Sequence, residues 1–233
     1  MRRLNPVDLS LYFILGPAHC AGREPAWLAA EAAAGGASLV QLRDKSSGTA
    51  AMIEEARALK RALAGTGVPL IVNDRVDVAL AAAADGVHLG REDMAAADAR
   101  RLIGPDRLLG VTVKTRAEAQ AVDPEIVDYA SVGGVFETRS KRNPEPPIGL
   151  DGLADRIALI RARAPGLPIS AIAGIDAANA GSVIAAGADG IALVGAIAGA
   201  DDPRAAARRL AALVADATRR RAPFPEQRKE IKA

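Results

Sequence analysis

The chain has 233 residues, of which half are hydrophobic, so it can bury a sizeable core and is not an intrinsically disordered protein. Its 30 Lys and Arg residues nearly balance its 28 Asp and Glu residues, which excludes the strongly basic surface of a nucleic-acid-binding protein. A single cysteine, Cys20, excludes an internal disulfide, and no apolar run approaches the roughly 18 residues of a membrane helix. We therefore expect a cytoplasmic protein that binds neither nucleic acid nor membranes.

Short apolar runs alternate with longer alanine-rich amphipathic runs along the chain, and this alternation predicts eight βα units. The predicted strands are 11–15, 38–43, 70–73, 86–89, 108–112, 129–133, 168–172 and 190–194. The predicted helices include 49–64, 94–103 and 177–186. Asp176 has the position of an N-cap for the last of these helices, and Gly187 has the position of its C-terminal glycine.

The fold class that fits eight such units is α/β, a single (β/α)8 TIM barrel, for which ~250 residues are typical. An open dinucleotide-binding sheet would have a glycine-rich turn after its first strand, but here Gly16-Pro17-Ala18-His19 follows. The sequence Ala84-Asp85-Gly86-Val87 resembles Ala188-Asp189-Gly190-Ile191, as expected of a repeated architecture. We predict a barrel domain over 1–216 and a charged, disordered tail over 217–233.

Polar side chains follow the second strand at its carboxyl end, where barrel enzymes have their active sites. Gln41, Arg43 and Lys45 alternate along the chain and therefore point to one side, which predicts an anion site.

Two carboxylates, Asp74 and Asp93, reach the same rim from the third and fourth strands. Oxygen ligands beside a substrate phosphate are a common way to hold Mg²⁺, which is the cofactor that we expect. Alternatively, Asp74 is the N-cap of a helix that starts near Val76. We interpret His88 as a hydrogen-bonded structural histidine in preference to a ligand or base.

Two further regions have the composition of phosphate-binding loops. Residues 133–142 provide hydroxyl groups and cations after a Gly-Gly turn. The last two strands run into Gly174 and Gly195, where backbone N–H groups at helix starts favour an anion. Two anion sites and a divalent ion predict one diphosphate substrate and one monophosphate substrate.

These motifs resemble those of the thiamine-phosphate synthase (thiamine phosphate pyrophosphorylase) family. The resemblance extends over nearly the whole barrel, and its most specific motifs are Gln41-Leu42-Arg43-Asp44-Lys45, Val72-Asn73-Asp74, residues 86–93 and Thr138-Arg139-Ser140-Lys141. It implies an enzyme that condenses 4-amino-2-methyl-5-(diphosphooxymethyl)pyrimidine with 4-methyl-5-(2-phosphoethyl)thiazole, giving thiamine phosphate and diphosphate. The substitution would be dissociative and would need no protein nucleophile, so Cys20 would be inert.

The resemblance also implies roles for single residues. Asp74 and Asp93 would bind Mg²⁺, and homodimers are common among such barrels. The residues implied at the pyrimidine diphosphate are Gln41, Arg43, Lys45, Asn73, Lys141 and, at the ring, Thr112. Those implied at the thiazole phosphate are Thr138, Ser140, Gly174, Val194 and Gly195. Substrate binding would extend to Leu42, Asp44 and Arg139, and the catalytic cations would be Arg43, Lys45 and Lys141.

Several positions depart from the family pattern. Ala173 replaces a glycine, Gly195 replaces a serine, and Lys114 stands where a histidine is frequent. A thiazole tautomerase-like isomerase is one alternative, but it would need an acid–base residue such as that histidine. A non-catalytic relative that binds thiamine precursors is the other, and the changes at Ala173 and Gly195 leave room for it.

Overall fold

The computed structural model describes residues 7–138 and 145–221. Eight parallel strands follow one another around a closed barrel, and the last strand pairs with the first, so the predicted fold class is confirmed. The strands are β1 (Leu11–Leu15), β2 (Leu39–Leu42), β3 (Leu70–Asn73), β4 (Gly86–Leu89), β5 (Leu108–Val113), β6 (Tyr129–Val132), β7 (Ile169–Ile172) and β8 (Gly190–Leu193).

Helices surround the strands. They are α1 (Pro25–Ala34), α2 (Thr49–Ala62), α3 (Val76–Ala81), α4 (Ala96–Ile103), α5 (Arg116–Ala121), α6 (Gly149–Arg161), α7 (Ala180–Ala185), α8 (Gly195–Ala198) and α9 (Pro203–Arg220). Within the two described ranges, no helix has both the length and the apolar character needed to cross a membrane.

The two faces of each strand have different surroundings, because side chains alternate along a strand. Leu11, Phe13 and Leu15 of β1 pack in the large core between barrel and helices. Tyr12 and Ile14 point into the barrel, where a smaller apolar cluster forms. The site's polar side chains therefore rise from a packed interior and not from an open pore.

The repeated Asp-Gly motif lies at the starts of β4 and β8, where its glycine is the first residue of each strand. A Cβ on Gly86 would lie 2.2 Å from the carbonyl oxygen of Leu108, and one on Gly190 would lie 1.7 Å from that of Leu9. Only glycine permits such a close approach of two backbone segments. The predicted repeat therefore reflects a shared packing requirement.

The start of α7 differs from the prediction. The helix begins at Ala180, and the Asp176 carboxylate accepts the backbone N–H of Ala178 at 2.8 Å, inside the preceding turn. The residue that directly precedes α7 is therefore Asn179 and not the predicted Asp176, but the Asp176 side chain caps the turn that leads into the helix, and its carbonyl oxygen accepts the backbone N–H of Ala180 at 3.0 Å. Gly187 has a φ of 114°, as a glycine beyond a helix end requires.

The last helix extends into the predicted tail. It continues to Arg220, and Asp216 forms ion pairs with Arg219 and Arg220 on the helix surface. The first residues of the predicted tail are therefore helical, while residues 222–233 lie outside the described residues.

Candidate active site

A cavity of about 860 Å³ lies at the carboxyl ends of the strands, and all eight strands contribute to its wall. The described site residues that line it are Gln41, Arg43, Lys45, Asn73, Asp74, Asp93, Thr112, Thr138, Gly174, Val194 and Gly195. The barrel thus brings together residues that the sequence spreads over more than half of its length.

Two predicted substrate-binding residues lie away from the cavity. Leu42 packs in the core between barrel and helices. The Asp44 carboxylate accepts the backbone N–H groups of Ser46 and Ser47, at 2.8 and 3.1 Å. Asp44 therefore shapes the loop after β2. A last predicted group, Arg139, Ser140 and Lys141, lies outside the described residues.

The alternating polar residues at the end of β2 point to one side, as predicted. Gln41, Arg43 and Lys45 all line the cavity, and the Lys45 ammonium forms an ion pair with the Asp74 carboxylate. The loop after β2 therefore contacts the loop after β3 at the cavity wall.

Asp74 and Asp93 form a carboxylate pair. The Asp93 carboxylate accepts the backbone N–H of Gly90 at 2.7 Å, and it lies close enough to Asp74 to perturb the pKa of that residue. Burial and the adjacent Asp93 raise the pKa of Asp74, and Lys45 opposes this shift.

The backbone of Asp74 directs its side chain into the site. Its φ of 63° lies in the left-handed region, which Asp and Asn tolerate better than other residues with a Cβ. The residue that precedes α3 is Arg75, and it makes no side-chain cap. The alternative prediction of Asp74 as an N-cap is therefore wrong.

The carboxylate pair fits a divalent ion that takes few protein ligands. In the described part of the chain, no group of three or more His, Cys, Asp or Glu side chains is arranged around a metal position. Two adjacent acidic groups, next to cationic side chains that suit phosphate, match Mg²⁺, which retains water and phosphate ligands.

The floor of the site is a buried polar network. The hydroxyls of Tyr12 and Tyr129 lie 2.9 Å apart, and Tyr129 is 3.1 Å from Nδ1 of His88. Nε2 of His88 is 2.8 Å from the Thr112 hydroxyl. Burial lowers the pKa of His88 to about 4 and raises the pKa of both tyrosines. The prediction of a hydrogen-bonded histidine is confirmed.

Sequence reasoning missed Tyr12 and Tyr129 as parts of the site. The available signal was a tyrosine inside two of the predicted strands, 11–15 and 129–133, which consist mainly of apolar residues. A buried phenol needs a hydrogen-bond partner, so two such positions indicate a polar interior.

The sequence model of the family described as "Thiamine monophosphate synthase" matches residues 11–197, which include every strand of the barrel. The chain belongs to this family.

Curated relatives within the thiamine monophosphate synthase family are similar over most of their length. A "Thiamine-phosphate synthase" of Agrobacterium fabrum is 54% identical over 73% of this chain and 77% of its own. Another, of Chloroflexus aurantiacus, is 50% identical over 89% of this chain and 94% of its own. The solved structure of "Thiamine phosphate pyrophosphorylase from Pyrococcus furiosus" has a TM-score of 0.79 and 34% identity, and the match covers 91% of this chain and 98% of that one.

The position of Ala173 is strained in this member of the thiamine monophosphate synthase family. Its φ is 96°, where a glycine avoids the steric cost of a Cβ. The next residue, Gly174, has a φ of 64°, and a Cβ there would lie 2.2 Å from the carbonyl oxygen of Glu137. The loops after β6 and β7 therefore touch through their backbones at the cavity wall.

Gly195, in contrast, lies in an uncrowded part of the site. It begins the single turn of α8, it lines the cavity, and a Cβ on it would meet no atom within 4 Å. The site thus has free space where the family pattern has a serine.

Proposed function

We propose that this protein is a thiamine-phosphate synthase. The bond between the exocyclic carbon of the aminopyrimidine and its diphosphate oxygen breaks, and a bond forms between that carbon and the thiazole ring nitrogen. The products are diphosphate and thiamine phosphate. The observation that supports this most directly is that Arg43 and Lys45 share one cavity with the Asp74–Asp93 pair, with Lys45 touching Asp74.

The charges of the cavity suit a departing diphosphate. Negative charge accumulates on the leaving group as its bond breaks, and side chains already held in place stabilise that charge most in the transition state. Arg43 and Lys45 provide this stabilisation from the end of β2. The role of Lys141, which lies outside the described residues, stays a prediction.

The reaction needs no protein nucleophile, because the electron-rich aminopyrimidine supports the cation that diphosphate leaves behind. Cys20 agrees with this: it is buried, its thiol donates to the carbonyl oxygen of Gly16 at 3.1 Å, and burial raises its pKa. A buried thiol with a raised pKa is a poor nucleophile.

We further propose that Asp74 and Asp93 hold Mg²⁺. The bound ion would add positive charge at the diphosphate and so assist its departure. The raised pKa of Asp74 supports the proposal, since a cation at this place would relieve the repulsion between the two carboxylates.

We assign the phosphate of the thiazole substrate to a separate part of the cavity. Thr138, Gly174, Val194 and Gly195 line the cavity wall formed by the loops after β6, β7 and β8. Backbone N–H groups and one hydroxyl there suit a monophosphate, which assigns the thiazole phosphate to this side.

A tautomerase needs a general base that can exchange a proton with substrate. Among the described residues, the only histidine lining the cavity is His88, and both of its ring nitrogens contact hydroxyl groups of the protein. The synthase is therefore the better-supported activity.

A direct assay tests the proposal. The two phosphorylated precursors and Mg²⁺ are mixed with the protein, and thiamine phosphate and diphosphate are measured. We expect both products in equal amounts, and a loss of at least about 100-fold in Asp93→Asn. The matched control, Cys20→Ala, should retain the rate. Conversion of thiazole phosphate alone would establish an isomerase, and binding without turnover would establish a non-catalytic relative.

The proposal includes a cytoplasmic location, since one buried thiol needs no oxidising compartment. A homodimer stays a prediction by analogy with the family, and light scattering on the purified protein measures it.

A further inference from the structure

We infer that a directional chain of hydrogen bonds across the barrel interior makes the site select an aminopyrimidine over its 4-oxo analogue, with Tyr129 as a positioning residue. This inference rests on the proposed function, because it concerns the pyrimidine substrate of that reaction.

The chain has five members from five different strands. The Gln41 amide N–H donates to the Tyr12 hydroxyl, which lies 2.9 Å from the Tyr129 hydroxyl. Tyr129 is 3.1 Å from Nδ1 of His88, and Nε2 of His88 is 2.8 Å from the hydroxyl of Thr112. Gln41 and Thr112, at the two ends, both line the cavity.

Every proton in such a chain finds an acceptor only if the protons all point the same way. A hydroxyl has one proton, and a neutral imidazole has one N–H and one acceptor nitrogen. His88 is buried and contacts only hydroxyls through its ring nitrogens, so the neutral form is favoured. Each member therefore receives a hydrogen bond on one side and donates one on the other.

The orientation of Gln41 selects the direction. Its Nε2 donates to Tyr12, so Tyr12 donates to Tyr129, Tyr129 donates to Nδ1 of His88, and Nε2–H of His88 donates to Thr112. Two groups then remain for a ligand. Gln41 offers its amide oxygen as an acceptor, and Thr112 offers its hydroxyl proton as a donor.

An aminopyrimidine ring complements these two groups. Gln41 belongs to β2 and Thr112 to β5, so the two side chains approach the cavity from separate strands. A 4-amino group donates to the Gln41 oxygen, and a ring nitrogen accepts from Thr112. A 4-oxo ring places a carbonyl oxygen against the Gln41 oxygen and loses a donor, so the buried groups are left unpaired.

The packing around Tyr129 is built for this arrangement. A Cβ on Gly110 would lie 2.0 Å from Cζ of Tyr129, so only glycine leaves room for the ring. The Tyr12 and Tyr129 rings meet edge to face, with centroids 5.9 Å apart. Tyr129 is completely buried and does not line the cavity, so it affects a ligand only through its neighbours.

Tyr129→Phe tests the inference, because it removes one hydroxyl and retains the ring. The affinities for the 4-amino and 4-oxo pyrimidine diphosphates are measured by calorimetry without the thiazole phosphate, so no turnover occurs. In the unmodified protein we expect a preference for the amino compound of at least about 100-fold. In the variant we expect this preference to fall about tenfold.

The matched control is Ser170→Ala. Ser170 is also completely buried in the barrel, and its hydroxyl contacts that of Ser131, at 2.7 Å, outside the chain described above. We expect the control to leave the preference unchanged. A Tyr129→Phe variant that folds and keeps the full preference would overturn the inference. If this variant does not fold, Tyr12→Phe breaks the same chain one step earlier and is judged by the same criterion.

A double-mutant cycle separates positioning from a purely structural role. Tyr129 does not touch the Thr112 hydroxyl, yet Tyr129→Phe and Thr112→Val should have non-additive effects on the affinity for the amino compound. Additive effects would contradict the inference. Equal binding of both compounds to the unmodified protein would do so as well, whereas binding of neither would count against the proposed function itself.

Discussion

Asp85 and Asp189 have the same role in the two halves of the barrel. Asp85 precedes β4, and its carboxylate accepts the backbone N–H of the first residue of β3 at 2.7 Å. Asp189 precedes β8, and its carboxylate accepts the backbone N–H of the first residue of β7 at 2.9 Å. Each also pairs with a basic side chain of the helix that precedes that strand, Lys60 for Asp85 and Arg161 for Asp189, both at 2.8 Å. One carboxylate thus joins two strands and a helix.

Removing one of these carboxylates should destabilise the barrel without changing its active site. Asp189 also pairs with Arg221 at 3.1 Å, so Asp189→Ala removes the ion-pair partner of two half-buried guanidinium groups, which retain backbone carbonyl acceptors, and the acceptor of one strand N–H. We expect a loss of about 2 kcal/mol in the free energy of unfolding, measured with urea. Asp98→Ala is the control: its pair with Arg101 is exposed, so its removal should change stability by less than about 0.5 kcal/mol. Equal losses in both variants would contradict the assigned role.

Ala173→Gly should stabilise the protein. The φ of 96° at Ala173 costs a residue with a Cβ about 1 kcal/mol, which glycine does not incur. We expect the free energy of unfolding to rise by about 1 kcal/mol in a urea titration. Ala171→Gly, two residues earlier in β7, should have the opposite effect, because it lies in an ordinary strand and loses buried contacts. An Ala173→Gly variant that is less stable than the original would show that the methyl group's packing outweighs the strain.

Gly195→Ser should strengthen thiazole phosphate binding. The cavity has room for a Cβ there, and a serine hydroxyl adds a donor beside the backbone N–H groups of α8. We expect the KM for thiazole phosphate to fall about threefold to tenfold, with the KM for the pyrimidine diphosphate unchanged. As a control, Gly195→Ala fills the same space without a donor and should show no gain. A lower KM for the pyrimidine diphosphate instead would place the two phosphates the other way round.

Asp74→Asn should stabilise the protein while abolishing its activity. The pKa of Asp74 is raised by burial and by Asp93, so the folded state holds more protons than the unfolded state, and stability falls as pH rises through this pKa. Asparagine removes that cost and tolerates the φ of 63°. We expect a higher Tm than the original at pH 7 in a metal-free buffer, and a smaller difference in acid.

Adding Mg²⁺ should make the Tm of the original protein higher than that of Asp74→Asn. The ion would bind the folded original through Asp74 and Asp93 and raise its Tm, but it should have little effect on the Asp74→Asn variant. Equal shifts in both proteins would contradict the proposed metal site.

His88 should make stability depend on pH in weak acid. Its pKa falls from about 6.5 in the unfolded chain to about 4 in the barrel, so the unfolded state binds more protons between these values. Stability should therefore fall as pH drops from 6.5 to 4, by about 3 kcal/mol in total. Urea titrations at several pH values measure this loss, and it should be absent from His88→Gln. The chain has two histidines, and the control, His19→Gln, should keep the original dependence.

Much of the site could be predicted from the sequence because its elements are local. At the end of β2, every second residue over five positions is polar, namely Gln41, Arg43 and Lys45. The structure places all three on the cavity wall. The same pattern could not show that Leu42 and Asp44 lie away from the cavity. Which face of a strand meets the cavity, and which neighbour a loop side chain contacts, depends on how the barrel closes.

The sequence by itself determined the barrel, since alternating strand and helix patterns and the repeated Asp-Gly motif are properties of short segments. The sequence predicted that Asp74 and Asp93 reach the same rim, but tertiary structure alone decided how closely they approach and that Tyr12 of β1 meets Tyr129 of β6. Contacts of this kind join segments that are distant along the chain. They depend on the register and closure of eight strands, and no local pattern of residues encodes that geometry.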